Sequence, residues 1–455
     1  MTDVDIVILG GGSGGYSCAL RAEQLGLSIV LIEEDKLGGT CLHRGCIPTK
    51  ALLHTAEVAD AVRGSEHVGV TATLAGVDAA AAVKYQQSVV VALYTGLKGL
   101  LKRPKIEIVS GRGRLIDKST VEVDGRRITG KSVVIATGSY SRTIPGIDIG
   151  ARVMTSEHAL ALDRVPESVV VLGGGVIGIE FASIWQSFGS KVTVVEALDR
   201  VLPGEDEWAS KQMLRALKKR GMDIRTGTKV EAVHESADSV AVTLSSGETV
   251  NTDVVLVAVG RGPRTDDTGI TEVGVTTDRG FVTVDDNLMT SVPGVYAVGD
   301  IVPGYQLAHR GFQHGMFVAE HLAGRSPARI DGDRVPRVTY SHPEVASVGL
   351  TEKDAEAKYG SVTALVYDLG GNGKSRILGT AGGVKVIRAQ DDGPVVGVHI
   401  VGDRAGELIG EAQLAVAWEA LPDEVGAFLH AHPTQHEALG EAMMALSGRP
   451  LHAHT

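Results

Sequence analysis

An α/β fold with two copies of one parallel strand–helix–strand unit is what this sequence predicts, and three observations carry that reading. The chain has 455 residues, about three domains at roughly 150 residues each. Its 58 glycines exceed the usual share of about 7%. They gather at a few places with no three-residue period, which excludes collagen and suggests tight turns and backbone close to ligands. Finally, the chain repeats itself: Gly10, Gly26 and Glu33 recur 163 residues later as Gly173, Gly189 and Glu196.

Taken in order, Asp5-Ile6-Val7-Ile8-Leu9 reads as a buried strand. Gly10, Gly12 and Gly15 follow in G-x-G-x-x-G spacing, then a helical stretch to Gly26, an apolar run from Ile29 to Ile32, and Glu33. Ser168 to Leu172 starts the series again, through Gly173, Gly175 and Gly178, a helical stretch to Gly189, Val192 to Val195, and Glu196. One such glycine motif is weak; two matched in strand, helix, closing glycine and terminal acid are strong. In a Rossmann-type unit the first glycine makes the turn, the second admits a pyrophosphate and the third lets helix and strand pack. The helix start offers free N–H groups to phosphate, and the acid accepts a ribose hydroxyl. Glu196 would repel a 2′-phosphate and so favours NAD, with Arg200 nearby leaving NADP as the alternative. The matched acids count against two glycine turns that bind nothing. Gly373-Lys374-Ser375 mimics the end of a P-loop, but Asp368 stands where its first glycine belongs, so a solvated turn is expected there.

With 44 Lys+Arg against 55 Asp+Glu, a net charge of -11 and 4% aromatic residues, the chain lacks the surface of a nucleic-acid binder. No apolar run approaches the ~18 residues of a membrane span, and the amino end carries no signal-peptide pattern. A cytoplasmic protein is expected. The three cysteines, Cys18, Cys41 and Cys46, are too few for a disulfide scaffold. Cys18 falls on the core face of the first helix.

Cys41 and Cys46 lie in Gly38-Gly39-Thr40-Cys41-Leu42-His43-Arg44-Gly45-Cys46-Ile47-Pro48-Thr49-Lys50. In a regular helix they would be about 7.5 Å apart along the axis, beyond the ~7 Å between Cα atoms that a disulfide tolerates. They can bond only across irregular backbone, and Gly45 and Pro48 are compatible with that. A Cys46 near a helix start would be a favoured thiolate, and a short-loop disulfide is a reversible two-electron couple. Two inert thiols or half of a zinc site are the competing readings. Zinc would need further ligands, and no other cysteine pair exists.

These residues resemble the pyridine nucleotide–disulfide oxidoreductases nearly end to end. Besides Gly38 to Lys50, the resemblance rests on Ala136-Thr137-Gly138-Ser139, Ala258-Val259-Gly260-Arg261, Thr290 through Tyr296-Ala297-Val298-Gly299-Asp300, and His430-Ala431-His432-Pro433-Thr434-Gln435-His436-Glu437. It implies two Rossmann-like dinucleotide-binding domains, the second inserted in the first, and a carboxyl-terminal α+β dimer-interface domain. The boundaries it suggests are 1–146 with 272–334 for FAD, 147–271 for NAD, and 335–455 for the interface. It implies FAD on Gly10, Gly12, Ser13, Gly15, Glu33, Gly39, Thr40, Lys50, Gly113, Thr137, Gly138, Ser139, Asp300, Leu307, Ala308 and His309. NAD is implied on Gly173, Gly175, Ile177, Gly178, Glu180, Glu196, Val230 and Gly260.

By the same resemblance, Cys41 exchanges with a dithiol substrate and Cys46 faces the flavin. His432 accepts the substrate's thiol proton, Glu437 orients that imidazole, and Lys50 and Glu180 form an ion pair near the flavin ring. Any of His430, His432 and His436 could take the base role on residue type alone; the His-Pro-Thr match selects His432. A homodimer is implied, serving lipoyl domains of a 2-oxo-acid dehydrogenase or glycine cleavage complex, with no metal, nucleic acid or membrane. The sequence departs from the family at Ser141, Arg264, Gln313, His314, Gln435 and His436, which bears on the nicotinamide site and dimer contacts. Glu196 and Ala197 stand where a glutathione-type reductase would want basic residues, and no carboxyl-terminal cysteine pair suggests a mercuric reductase. Another disulfide reductase and a non-enzymatic flavoprotein subunit remain the alternative readings.

Overall fold

A computed structural model describes residues 2–390 and 392–453. The first repeat unit folds as read. Strand Thr2–Leu9 pairs in parallel with Ile29–Glu33 on one side and Arg126–Ile135 on the other, and Ile106–Ser110 extends the sheet beyond Ile29–Glu33. At the opposite end two short antiparallel strands follow Arg126–Ile135, first Thr120–Val123 and then Gly113–Leu115, in the seven-stranded sheet. Its last member, Val295–Ala297, joins Arg126–Ile135 in parallel from the far side of the second unit. The chain therefore leaves the first sheet, builds the second unit and returns.

The second unit is a five-stranded parallel sheet in the order Asp223–Arg225, Lys191–Val195, Ser168–Leu172, Val254–Val257, Val153–Thr155. Its three central strands are rich in Val and Leu because both faces are covered. Val169, Val171 and Val194 pack under helices Val176–Phe188 and Glu207–Lys219. Val170, Leu172 and Val195 pack under the antiparallel ribbon that carries Val240, Val242 and Leu244. The two crossings between units pair with each other, Ser139–Ser141 against Arg261–Pro263.

The carboxyl-terminal unit is a five-stranded antiparallel sheet from Arg337–Thr339 to Val362–Asp368, with helices Ala405–Ala417 and Glu437–Leu446 packed in its core cluster. Lys385, 5% exposed, ties this sheet to the second unit through Asp206, 2% exposed and 2.7 Å away. Cys18 is wholly buried in the first core, as its helical position predicts. One expectation is corrected. Gly373-Lys374-Ser375 is no solvated turn but the start of helix Gly373–Leu378, with Ser375 fully buried and its N–H accepted by the cap residue Asn372. The local Asn cap outweighs the turn signal of glycine. Among the described residues no helix is long and apolar enough to cross a membrane.

Candidate active site

Both glycine turns have the geometry of a nucleotide cradle. A Cβ on Gly15 would lie 1.8 Å from Gly10 O, and one on Gly178 would lie 1.9 Å from Gly173 O, so only glycine lets each helix sit on its strand. Gly12 and Gly175 are different. A Cβ on Gly12 meets nothing nearer than 3.9 Å and one on Gly175 nothing within 4 Å, so these two border open space. No side chain caps either helix, leaving first-turn N–H groups free at the positive end of the dipole. Glu33 and Glu196 return to their own turns: Glu33 Oε2 accepts from Gly11 N and Glu196 Oε2 from Gly174 N, both at 2.6 Å. Glu196 Oε1 also accepts from Leu198 N. Burial holds the Glu33 carboxyl above its ordinary range, against the pull of the Gly11 N–H.

From the first turn a groove runs inward as two adjoining cavities of about 340 and 370 Å³, in the range of ligand pockets. They share Gly12, Thr40, Gly138 and Ser139. Glu33, Gly39, Gly113 and Thr137 line the outer one, and Ser13, Lys50, Asp300, Leu307, Ala308 and His309 the inner one, with Cys41, Cys46, Ile177 and Glu180 on its wall. The groove's free helix N-terminus, its glycine floor and the Asp300 carboxylate fit the pyrophosphate and polyol of FAD. Ser139 Oγ donates to Asp300 Oδ2 at 2.5 Å.

Cys41 lies in helix Gly39–Arg44, which breaks at Gly45 (φ −144, ψ −110), and Cys46 opens the next helix, Cys46–Gly64. This is the irregular backbone that a bond between them requires. Here both are free thiols. The neighbouring Cys46 sulfur, then burial, push Cys41 well above the ordinary thiol range. The same pairing lowers Cys46, against burial and with help from Lys50. Lys50 is one turn on from Cys46 and on the same helix face. Its Nζ sits 2.9 and 2.8 Å from the two oxygens of Glu180, whose side chain is 4% exposed. Burial would lower Lys50, but the Glu180 carboxylate outweighs it and holds the ammonium charged.

His432 does not line this cavity. Its side chain is 79% exposed and its Nδ1 pairs with Glu437 Oε1 at 2.8 Å. Glu437 opens helix Glu437–Leu446 and accepts from Thr434 N at 2.7 Å. Burial opposes its charge, but that N–H and His432 outweigh it, so the carboxyl stays below its usual range. His430 and His436 both turn to Glu411 instead, at 2.8 and 3.3 Å. Among the three histidines, the structure leaves His432 as the one presented outward on its own carboxylate. Asn372 Nδ2 donates to Thr434 O at 3.0 Å, so the P-loop look-alike anchors this loop.

At the second turn, Gly173 and Gly260 carry the left-handed backbone of the turn and of the crossing (φ +109 and +102). Val230 opens a strand and packs against the second unit's core. Arg264, one of the departures from the family, lines the outer cavity of the first unit and bonds Glu34 Oε1 at 2.5 Å. Sequence position could not show this, because the crossing carries residue 264 back to the first sheet. His314, another departure, is 2% exposed and burial lowers it to about 3. Its neutral Nδ1 accepts from Gly299 N beside Asp300. Arg261 was quoted only as part of a strand motif. It clamps Ser139 through Oγ and O at 2.8 and 2.9 Å and lines the inner cavity. Tyr340 gave no sequence signal at all.

Comparison with known proteins agrees with this geometry. A family model described as pyridine nucleotide-disulphide oxidoreductase matches residues 4–315, and one for the dimerisation domain of the same family matches 335–443. The chain is 40% identical to a dihydrolipoyl dehydrogenase of Bacillus subtilis (strain 168), covering 99% of both chains. It is 37% identical to that of Geobacillus stearothermophilus, over 100% of this chain and 98% of the relative. Among solved structures, LpdA from Mycobacterium tuberculosis superimposes with a TM-score of 0.90 at 27% identity, covering 98% of this chain and 100% of that one. The flavoprotein disulfide reductase RclA from Escherichia coli gives 0.88 at 26%, covering 98% and 100%.

Proposed function

The chain belongs to the pyridine nucleotide-disulphide oxidoreductases, and from that premise we propose that it oxidises protein-bound dihydrolipoamide to lipoamide with FAD and NAD, the reaction of a dihydrolipoyl dehydrogenase. The observation that carries this reading is the inner cavity. Cys41, Cys46 and the Lys50–Glu180 pair stand there on one wall, between the first glycine turn and the helix that begins at the second. Likeness of 37–40% to dihydrolipoyl dehydrogenases over nearly the whole chain supports the substrate class. The domain reading that fits is FAD on 1–146 and 272–334, NAD on 147–271, and a homodimer formed through 335–455.

The residues divide the work by their environments. In the oxidised enzyme Cys41 and Cys46 share a disulfide. A substrate thiolate attacks Cys41, breaking that bond and leaving Cys46 as thiolate. The second substrate thiol then displaces Cys41 to close the lipoyl disulfide. In the reduced pair the coupling of the two sulfurs raises Cys41 and lowers Cys46, so the negative charge rests on Cys46. The helix start and Lys50 stabilise that charge. When bound, FAD supplies the two-electron relay from the dithiol to nicotinamide. His432 takes the proton from the attacking thiol, and Glu437 fixes its tautomer by holding Nδ1 and stabilises its charged form.

Because His432 faces outward, away from its own chain's Cys41 cavity, it is supplied to the partner subunit's disulfide. Glu196 selects NAD. The lipoyl domains of a 2-oxo-acid dehydrogenase or glycine cleavage complex are the partners, and the compartment is the cytoplasm. Turnover of free dihydrolipoamide with NAD tests the reading, together with the spectrum of Cys41→Ser. A long-wavelength band from the freed Cys46 thiolate beside oxidised flavin is expected. Flavin binding with neither turnover nor band would leave the scaffold reading instead.

A further inference from the structure

We propose that Tyr340 is a positioning residue: its ring and its backbone N–H hold the Lys50–Glu180 pair in place against Cys46. The carboxyl-terminal unit thereby takes part in setting the thiolate that the two nucleotide-binding units enclose. The inference rests on the reading of Cys46 as the flavin-facing sulfur.

Tyr340 directly follows strand Arg337–Thr339 and reaches the pair in two ways. Its N–H donates to Glu180 Oε1 at 3.0 Å, and Lys50 Nζ lies over its ring, 4.9 Å from the centroid. Glu180 thus accepts three bonds, two from Lys50 and one from the backbone of another unit. The anchorage continues to His342, whose N–H reaches Ser183 Oγ at 3.4 Å, so the segment is stitched twice to helix Val176–Phe188.

The ring has little freedom to withdraw. A Cβ on Gly406 would lie 3.1 Å from Tyr340 Cε1, so the ring is wedged between the start of helix Ala405–Ala417 and the Lys50 ammonium. Its contacts with the pair are made by the ring face and the backbone N–H. Lys50 needs such a guide. It has a four-carbon stem, and a third of its side-chain surface opens into the cavity. An aromatic face selects among its rotamers as well as attracting its charge. The charged and titratable groups around the sulfur pair are Tyr16, Cys41, Lys50, Glu180, Arg261 and Asp300, and Glu344 and Glu407 approach the ring from its own unit. A substitution at Tyr340 removes none of these groups and acts only on how Lys50 is held over the ring.

The test is a pH titration of the long-wavelength thiolate band in FAD-loaded Cys41→Ser enzyme, alone and combined with Tyr340→Phe or Tyr340→Leu. With phenylalanine the midpoint should match the parent. With leucine it should rise by about half a pH unit, and the band should weaken at equal flavin content. If the leucine variant does not fold, Tyr340→Met, close in volume and without a ring, gives the same reading. A role confined to packing would lower the melting temperature and leave the midpoint unmoved; that result overturns the proposal. So does a phenylalanine variant that shifts as far as leucine. Absence of the band in Cys41→Ser itself would instead defeat the assignment of Cys46, and this inference with it.

Discussion

Gly175 and Gly178 stand three residues apart in the second glycine turn and should respond in opposite ways to the same methyl group. Gly175 has φ −77 and ψ −177, a conformation open to alanine, and its added Cβ meets nothing within 4 Å. The weaker cap that alanine makes is offset by the lost freedom of the unfolded chain, about 0.4–1 kcal/mol. Gly175→Ala should therefore melt close to wild type. Its methyl group occupies the space beside the free first-turn N–H groups, where a pyrophosphate would sit. Losing one such charge-assisted bond costs about 1.5–3 kcal/mol, which raises KM for the nicotinamide substrate roughly 10- to 100-fold. In Gly178→Ala the Cβ would stand 1.9 Å from a backbone oxygen, Gly173 O, and helix and strand must part by more than an ångström. A stability loss of about 3 kcal/mol or more is expected. Thermal melting followed by flavin fluorescence and steady-state kinetics with NADH separate the two effects. A Gly175→Ala enzyme with wild-type KM would refute the second turn as a dinucleotide site. One that melts far below wild type would refute the packing argument.

Three other outcomes are expected. A mixed dimer of one Cys41→Ser subunit and one His432→Gln subunit should keep about half of wild-type activity, since one site collects both lesions and the other none; an almost inactive mixed dimer would mean that each chain supplies its own histidine. Burial raises Glu344 to about 7 from 4.5. A raised carboxyl favours the folded state below its unfolded pKa, and that stability is lost as pH rises through about 7. Glu344→Gln, which keeps an acceptor for Gly406 N, should therefore gain about 2 kcal/mol on wild type between pH 5 and 8, and parallel melting curves would count against it. Arg264→Asn should release FAD a fewfold faster, because an ion pair exposed like Arg264–Glu34 is worth about 1 kcal/mol at most; stopped-flow fluorescence of released flavin, unchanged from wild type, would exclude a retaining role.

Much of the fold was legible because its signals are local. The strand Ser168–Leu172 and the helix ending before Gly189 lie where apolar runs and glycine put them, since period and turn chemistry act within a few residues. The irregular link between Cys41 and Cys46 was legible too, from spacing and Gly45. The segment at Gly373 reads as a turn from its glycine, but Asn372, whose Oδ1 accepts from Ser375 N, makes it a helix start instead.

The sequence by itself determined the two matched nucleotide cradles, the cysteine pair and the acids that close each unit, because each depends on residues near one another along the chain. Only the tertiary structure decided what meets across long separations. Arg264 belongs to the first unit because the crossing strand returns it there. Tyr340 reaches Glu180 across 160 positions. His432, which the His-Pro-Thr match selects, stands outward on Glu437 while Glu411 engages the other two histidines. Such contacts follow from how separate sheets dock, and docking is set by the summed burial of many side chains, which leaves no periodic mark at the residues that happen to touch.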